Sequence, residues 1–591
     1  MLKSVKFILN SHFPQLYIEN AQKFIYITGW SVYTSISLLR GEEDPEGLSN
    51  VGELLKRKAD EGVRVLILIW NEKMSFFGNE GGVLGTHDEE TKNYFANTAV
   101  ECILVSREKR GSLAENEVAS TMYTHHQKTV ICDAALNDEC EKRQIIAFIG
   151  GLDITDGRYD TPEFPLFSTL NTIHQGDFYN NITIGSTPES GPRQPWHDIH
   201  AKIEGPIALD IKKNFEERWS RQVDDLESRL YEFDEDEFEF DAPATCLEHE
   251  GGSWNVQLFR SITSESCVMK PKYQGHLHSK QGRPVDNGIQ KCMIQQIRSS
   301  QRFIYMENQY FLGSSYAWQD DTSYPAYHTI PMEITEKIIR KVKANEPFKC
   351  YIVIPMFPEG DPASAPIQEI LFWQFRTMEM MYSKIGKAIE GTGIHPKNLL
   401  AFFCMAKRES PEEVPEDLPQ PSPDSPSAQI RQSLRHPIYV HCKMSLFDDE
   451  YIIIGSANIN ERSLGGNRDT EIAVGGFQPE HTIESQGDPR GNVHTFRQAL
   501  WAAHLGGHNE AFQSPESDEC METVREIAEG FSEVYNAEEP QHSDVHLLPY
   551  PINVDEMGNV TSLDPPLDCF PDTAASVLGA KSGYLPSKLT T

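Results

Sequence analysis

No run of about 18 uncharged apolar residues occurs in the 591-residue chain, and mean hydropathy is −0.46, so no membrane-spanning helix is expected. The opening MLKSVKFILNSHFPQ lacks both a long apolar core and a small-residue cleavage site, which predicts no signal peptide. The 11 cysteines show no CxxC spacing and are odd in number. They are expected to be free thiols in a reducing, cytoplasmic setting rather than a disulfide or metal framework. Positive charge is also scarce, with 53 basic against 88 acidic residues and a formal net charge of −35. That field repels nucleic acid, and no basic, aromatic-interleaved surface offsets it, so no nucleic-acid partner is expected. Any contact with an anionic membrane must be local.

What is present is a repeated order of elements. Strand-like segments Phe24–Trp30, Val63–Trp70 and Glu101–Ser106 are followed by HHQKTVICD, and Phe303–Phe311, Lys349–Met356 and Asn398–Met405 by VHCKMSLFDDEYIIIG. Strands alternating with helical patterns predict an α/β fold, and the repeated order predicts two pseudo-repeated α-β-α sandwich halves joined around one active site. The expected boundaries are a first half over 1–229, an acidic linker over 230–250, a second half over 251–540 and an irregular C-terminal strap over 541–591. The acidic run Leu230–Pro243 is expected to be solvated. The proline-, serine- and acid-rich Ser410–Ser427 is expected to be a mobile loop, spanning about 408–435.

Each half ends in the same pattern: His126-x-Lys128-x4-Asp133 and His441-x-Lys443-x4-Asp448. Gly455-Ser456-x-Asn458 follows the second copy, and Gly150-Gly151-x-Asp153 follows the first after a longer insertion. One copy is a weak signal; two in matching contexts are a strong one. In an extended chain, residues two apart point the same way, so each His and Lys share a face. Two such segments side by side surround one point with two imidazoles and two ammonium groups, a pocket for a phosphoryl group. Ser456 and Asn458 could add neutral donors. One neutral imidazole can attack phosphorus while a protonated one serves the leaving oxygen, giving a phosphohistidine. Each histidine needs an acceptor on its second nitrogen. The acids in HDIHAKIEG and TEIAVGG supply candidates: Asp198 is expected to orient His126, and Glu471 to orient His441. Asp133 and Asp448 belong to the motif and have a structural alternative, pairing inside the fold. His125, Cys132 and Cys442 are read as packing residues.

The stretches TMYTHHQKTVICD, FIGGLDITDGRYDTP, GPRQPWHDIHAKIEGP, IYMENQYFLGSS, YIVIPMFPEGDP, IYVHCKMSLFDDEYIIIGSANINERS and FPDTAASVLGAKSGYLPSKLTT closely resemble eukaryotic, especially plant-type, phospholipase D. The resemblance runs from about Phe24 to Thr591. It implies cleavage of phosphatidylcholine and related phospholipids to phosphatidic acid and a head-group alcohol, with transphosphatidylation to primary alcohols. It also implies His126 as nucleophile and His441 as general acid, a symmetry that the residues alone leave open. Gln309 is implied to lie near the bound phosphate, with Asn308 shaping that pocket. The partner implied is a phospholipid membrane surface, with the protein cytoplasmic and peripherally bound.

Three departures stand out. The chain begins just before FIYITGW, so the calcium-binding C2 domain with which plant-type relatives begin is not expected within the given sequence. Where relatives carry a histidine and an acid near a proposed calcium site, this chain has Phe164 and Ala503, with His197 retained. The chemistry is therefore expected to need no cofactor, and Ca²⁺, implied by the resemblance, is disfavoured by these substitutions. Lys337–Lys349 resembles a phosphoinositide-binding stretch of some relatives, its alternative being a solvated helix face. The rival readings are an inactive membrane-binding scaffold and another phosphodiesterase, such as a nuclease, that uses the same paired motif.

Overall fold

The computed structural model describes residues 4–9, 15–41, 49–72, 84–107, 123–135, 142–183, 185–223, 229–233, 237–239, 252–269, 277–278, 284–486, 491–563, 569–586 and 588–591. Within the expected linker, 234–236 and 240–250 lie outside the described residues.

Long apolar runs such as RVLILIW bury both faces, as inner strands of a covered sheet must. The first half contributes β1 (Ser4–Leu9), β2 (Phe24–Gly29), β3 (Arg64–Trp70), β4 (Glu101–Val105), β5 (Thr129–Ala135), β6 (Arg143–Gly150), the two-residue β7 (Trp196–His197) and β8 (Ile199–Glu204). All but β7 form one sheet in the order β1-β8-β6-β5-β2-β3-β4. The second half contributes β9 (Asn255–Thr263), β10 (Leu277–His278), β11 (Pro284–Asn287), β12 (Phe303–Asn308), β13 (Lys349–Val353), β14 (Leu400–Arg408), β15 (Arg435–Pro437), β16 (Tyr439–Val440), β17 (Lys443–Phe447), β18 (Tyr451–Gly455) and β19 (Glu471–Phe477). Its central order, β9-β19-β18-β17-β12-β13-β14, reproduces the first sheet strand for strand. The senses agree too. β2-β3-β4 and β12-β13-β14 are parallel, and the remaining pairs of each set are antiparallel. The duplication read from the motifs is thus a duplication of topology.

Alternation along these strands separates two apolar layers per half. Tyr26, Leu66, Leu68 and Ile131 face a core shared with Tyr305, Tyr351, Ile452 and Val474 of the second half. Ile25, Ile27, Val65 and Ile67 face outward onto the helix Val51–Asp60. The helix Pro206–Gln222 starts cleanly because Pro206 occupies its first turn after Gly205 at φ 87°, and it adds Ile211, Phe215 and Trp219 to the shared core. Sheet faces and this helix therefore weld the halves, with helices outside.

Two expectations about connections change. Ser410–Ser427 is folded down rather than loose. A turn at Pro411–Glu413 and the helix Pro426–Ser433 bury Leu418 and Ile430 against Leu166, Phe167 and Leu170. The prolines rigidify this segment, and its two apolar side chains give it a place to dock. In the acidic stretch, Tyr231, Phe233 and Phe238 pack onto the shared core, so aromatic residues between the acids tie it down. The terminal segment adds β20 (Leu547–Pro549) to β14 and ends with Thr590 and Thr591 buried.

Candidate active site

Each histidine motif is sewn to the other half of the chain. Ahead of β5, the Thr124–His126 segment exchanges backbone bonds with Thr470: His126 N donates to Thr470 O at 3.0 Å and Thr470 N to Thr124 O at 3.0 Å. Ahead of β17, the segment Tyr439–His441 runs along Trp196–His197, pairing β16 with β7, and His441 N donates to His197 O at 2.8 Å. Side-chain pairing follows. His126 Nδ1 lies 3.0 and 3.1 Å from the two carboxylate oxygens of Glu471, and His441 Nδ1 lies 2.6 Å from Asp198 Oδ2. Both expected acids are used, but with partners exchanged: Glu471 orients His126 and Asp198 orients His441. The reason is the stitching, which sets each histidine one residue from the acid of the opposite half.

The two imidazoles are held differently. His126 Nδ1 is also 3.0 Å from the Ser456 carbonyl oxygen, which can only accept. Nδ1 must therefore carry the proton, leaving the Nε2 lone pair free. His441 Nδ1 faces the Asp198 carboxylate, which suits an imidazolium as well as an imidazole. Burial, then the charges of Lys128 and Lys443, hold His126 well below the usual imidazole range. Burial and the same two lysines do so for His441. Asp198 is raised by burial, and Glu471 is pushed up to about 8 by burial and by Asp469, against the bonds it accepts from Ser456 and Ser463. Gly151 lets this arrangement close, since a Cβ there would come within 2.1 Å of Asp198 Oδ1.

The lysines sit beneath the imidazoles, both buried. Each donates to the carbonyl of its own motif histidine. Lys128 pairs with Asp153 at 2.8 Å, whereas Lys443 donates to Gln309 Oε1 at 2.8 Å, which Asn458 Nδ2 also meets at 3.1 Å. Burial pushes Lys443 down to about 7. Asp153 and Asn458 occupy the equivalent place in the two Gly-x-x loops, so the first lysine has a charged partner and the second neutral ones. Above them opens a cleft of about 580 Å³ lined by His126, His441, Gln309 and Asn458, with Arg158 and Arg462 in its walls. Two imidazoles lining one cleft, each with a buried ammonium group from its own motif, suit phosphoryl transfer.

A family model described as phospholipase D matches residues 17–579. The chain belongs to the phospholipase D family. It is 47% identical to phospholipase D alpha 1 of Zea mays and 46% identical to phospholipase D alpha 2 of Arabidopsis thaliana, in each case over 97% of this chain and 73% of the relative. A phosphatidylserine synthase structure from Haemophilus influenzae Rd KW20 superposes with a TM-score of 0.41 at 13% identity, covering 89% of this chain and 93% of that one.

Not every motif residue of this phospholipase D touches the cleft. Asp133 accepts from the backbone N–H groups of Gln22, Lys23 and Phe24 and from Arg143 Nε at 2.6 Å. Asp448 accepts from those of Gln301, Arg302 and Phe303. The two aspartates do one job in two halves, pinning the start of β2 and of β12 to the far end of the histidine-bearing strand. Six residues lie between each of them and its histidine, a span of roughly 23 Å in extended chain. They are structural rather than catalytic, since their carboxylates are spent on these backbone donors. Ser456, expected at the phosphate, instead donates its hydroxyl to Glu471 at 2.5 Å and accepts from Ile472 N. Asn308 braces the loop of Asn458 by accepting from Ile459 N at 3.0 Å. His125 is buried with Nδ1 on Thr470 Oγ1 and Nε2 on the Ser106 carbonyl, a structural histidine, and Cys132 and Cys442 are fully buried.

Among the described residues, His197, Glu307 and His504 form a buried group whose donor atoms lie within 4.8 Å of one another. Glu307 accepts from His197 Nε2 at 2.7 Å, from His504 Nε2 at 2.8 Å and from the Tyr305 hydroxyl. Phe164, Leu500 and Ala503 line an apolar void of about 20 Å³ beside it. Ca²⁺ takes six to eight oxygen ligands. One carboxylate already holding three donors, two nitrogens and an apolar void do not fit it. What the group does is hold His197, whose carbonyl anchors the backbone of His441.

Proposed function

We propose that this phospholipase D cleaves the distal phosphodiester bond of phosphatidylcholine and related phospholipids in two steps through a phosphohistidine on His126. The observation that carries the assignment is the carbonyl of Ser456 on His126 Nδ1, which leaves Nε2 as the attacking lone pair. Lys128 and Lys443 balance the phosphate charge, and the positive charge that the His126 ring gains on phosphorylation draws Glu471 into its ionised form, which then stabilises that ring. His441, paired with Asp198, protonates the departing alcohol and then takes a proton from the water or primary alcohol that resolves the intermediate. A bound phosphate offsets the two lysine charges that hold His441 down, so substrate binding itself favours the acid form. No step needs a metal from the His197–Glu307–His504 group.

No described helix is long and apolar enough to cross a membrane, and a peripheral approach to the lipid surface from the cytoplasm accords with that. A phosphoinositide on Lys337–Lys349 has less support. Lys337 Nζ donates to the carbonyls of Arg298 and Ser300, and Lys341 Nζ to Gln301 and Glu346, so two of the basic residues are engaged inside the fold. Hydrolysis of phosphatidylcholine vesicles in the presence of butanol tests the reading. Phosphatidylbutanol is the expected product, and its absence alongside absent phosphatidic acid would overturn the reading in favour of a lipid-binding scaffold or another phosphodiesterase.

A further inference from the structure

Glu359 stands in the catalytic cleft with no part in the chemistry above. It follows β13 and lines the same cleft as His126 and His441. Its Oε1 accepts from the Tyr179 hydroxyl and, at 3.4 Å, from Asn181 Nδ2. Its other oxygen has no hydrogen-bond partner, and the carboxylate no ion-pair partner, among the described residues. Arg158 feels the Glu359 charge without forming an ion pair with it: it is stacked 4.4 Å from the Tyr179 ring centre and 4.1 Å from that of Trp196, with a guanidinium N–H on the Asp156 carbonyl.

Position and surroundings both matter. Tyr179 packs edge-on to Trp196 at 5.9 Å, and Trp196 lies 4.7 Å from the His441 ring, which puts Glu359 on the side of the cleft where the alcohol departs. Tyr310 lines the cleft too, and the Glu359 charge reaches both tyrosines. Of the other charged groups at the cleft, Asp153 is paired with Lys128 and Asp469 with Arg462, which leaves Lys443 and Arg158 for an anion. An unpaired carboxylate among them opposes phosphate binding unless the ligand brings a cation of its own. A carboxylate beside aromatic side chains is a setting that holds ammonium and quaternary ammonium groups.

We propose that Glu359, flanked by Tyr179 and Tyr310, is the subsite for a cationic head group, an ammonium or quaternary ammonium alcohol leaving on the His441 side. This rests on the hydrolytic reading given above and adds to it the residue that selects the head group. The test compares kcat/KM on short-chain, monomeric phosphatidylcholine and phosphatidylglycerol, so that membrane charge plays no part. Glu359→Gln is expected to lower the choline-to-glycerol ratio about tenfold, and Glu359→Lys to lower it further. A ratio unchanged in both variants overturns the subsite. Should the variants not fold, tetramethylammonium ion on the unaltered protein decides. Competitive inhibition of choline-lipid cleavage is expected, and its absence overturns the proposal. An unaltered protein that cleaves neither lipid overturns the hydrolytic reading instead, and the subsite with it.

Discussion

The exchanged histidine–acid pairing makes a prediction that the uncrossed pairing reverses. Asp198→Asn keeps the shape of the side chain and leaves an oxygen for the Ile199 N–H, which Asp198 Oδ1 now accepts at 2.8 Å. What it removes is the charge 2.6 Å from His441 Nδ1, and with it the support for an imidazolium there. General acid catalysis supplies roughly 10²–10⁴ in rate, about 3–5 kcal/mol. Release of an alcohol head group by the Asn variant should fall by a factor in that range. Glu471→Gln acts on His126 instead. It weakens stabilisation of the phosphorylated ring, and attack slows whichever group departs. Phosphatidyl-p-nitrophenol separates the two, because p-nitrophenol leaves as its anion and needs no proton. In single-turnover release of the phenol, the Asp198→Asn defect should shrink to less than about tenfold, while the Glu471→Gln defect persists on both substrates. A Glu471→Gln defect rescued by the good leaving group, with Asp198→Asn unrescued, would refute the crossed wiring.

Three further outcomes follow from the same contacts. Asp133→Ala and Asp448→Ala each leave three backbone N–H donors without their carboxylate, and each should cost about 3–5 kcal/mol in denaturant unfolding while the folded fraction keeps its turnover. A calcium chelator should leave kcat unchanged, since the His197–Glu307–His504 group does not suit a hard cation; activity restored only by Ca²⁺ would contradict that. Burial holds Lys443 near 7. The Lys443 charge is therefore present below that value and lost as pH rises through it, so kcat/KM should decline above neutral pH through weaker phosphate binding, read from the alkaline limb of its pH profile.

Much of the architecture was legible in the chain. Apolar runs located β2, β3, β4, β12 and β13 to within a residue or two at their start, and the repeated His-x-Lys pattern announced two equivalent halves. Asp198 and Glu471 could be picked out because a strand-like segment with one acid follows each motif. Their pairing could not. It depends on which loop of one half lies beside which motif of the other, and nothing local to HDIHAKIEG says that its neighbour is His441 rather than His126. The structural role of Asp133 and Asp448 was legible in principle, since six intervening extended residues carry a side chain out of reach of the phosphate. Asp153 was visible as the counterpart of Asn458, but its bond to Lys128 was not, because which side chains meet across the fold is not set by spacing along the chain. Glu307, on the strand of Tyr305 and Asn308, shows its meaning only once His197 and His504, 110 residues before it and 197 after, are folded onto it.

The central claim is that His126 forms the bond to phosphorus. Rapid mixing with phosphatidylcholine, quenching in alkali and peptide mapping should find the phosphatidyl group on the peptide that contains His126. Finding it on the peptide of His441 instead would contradict the account.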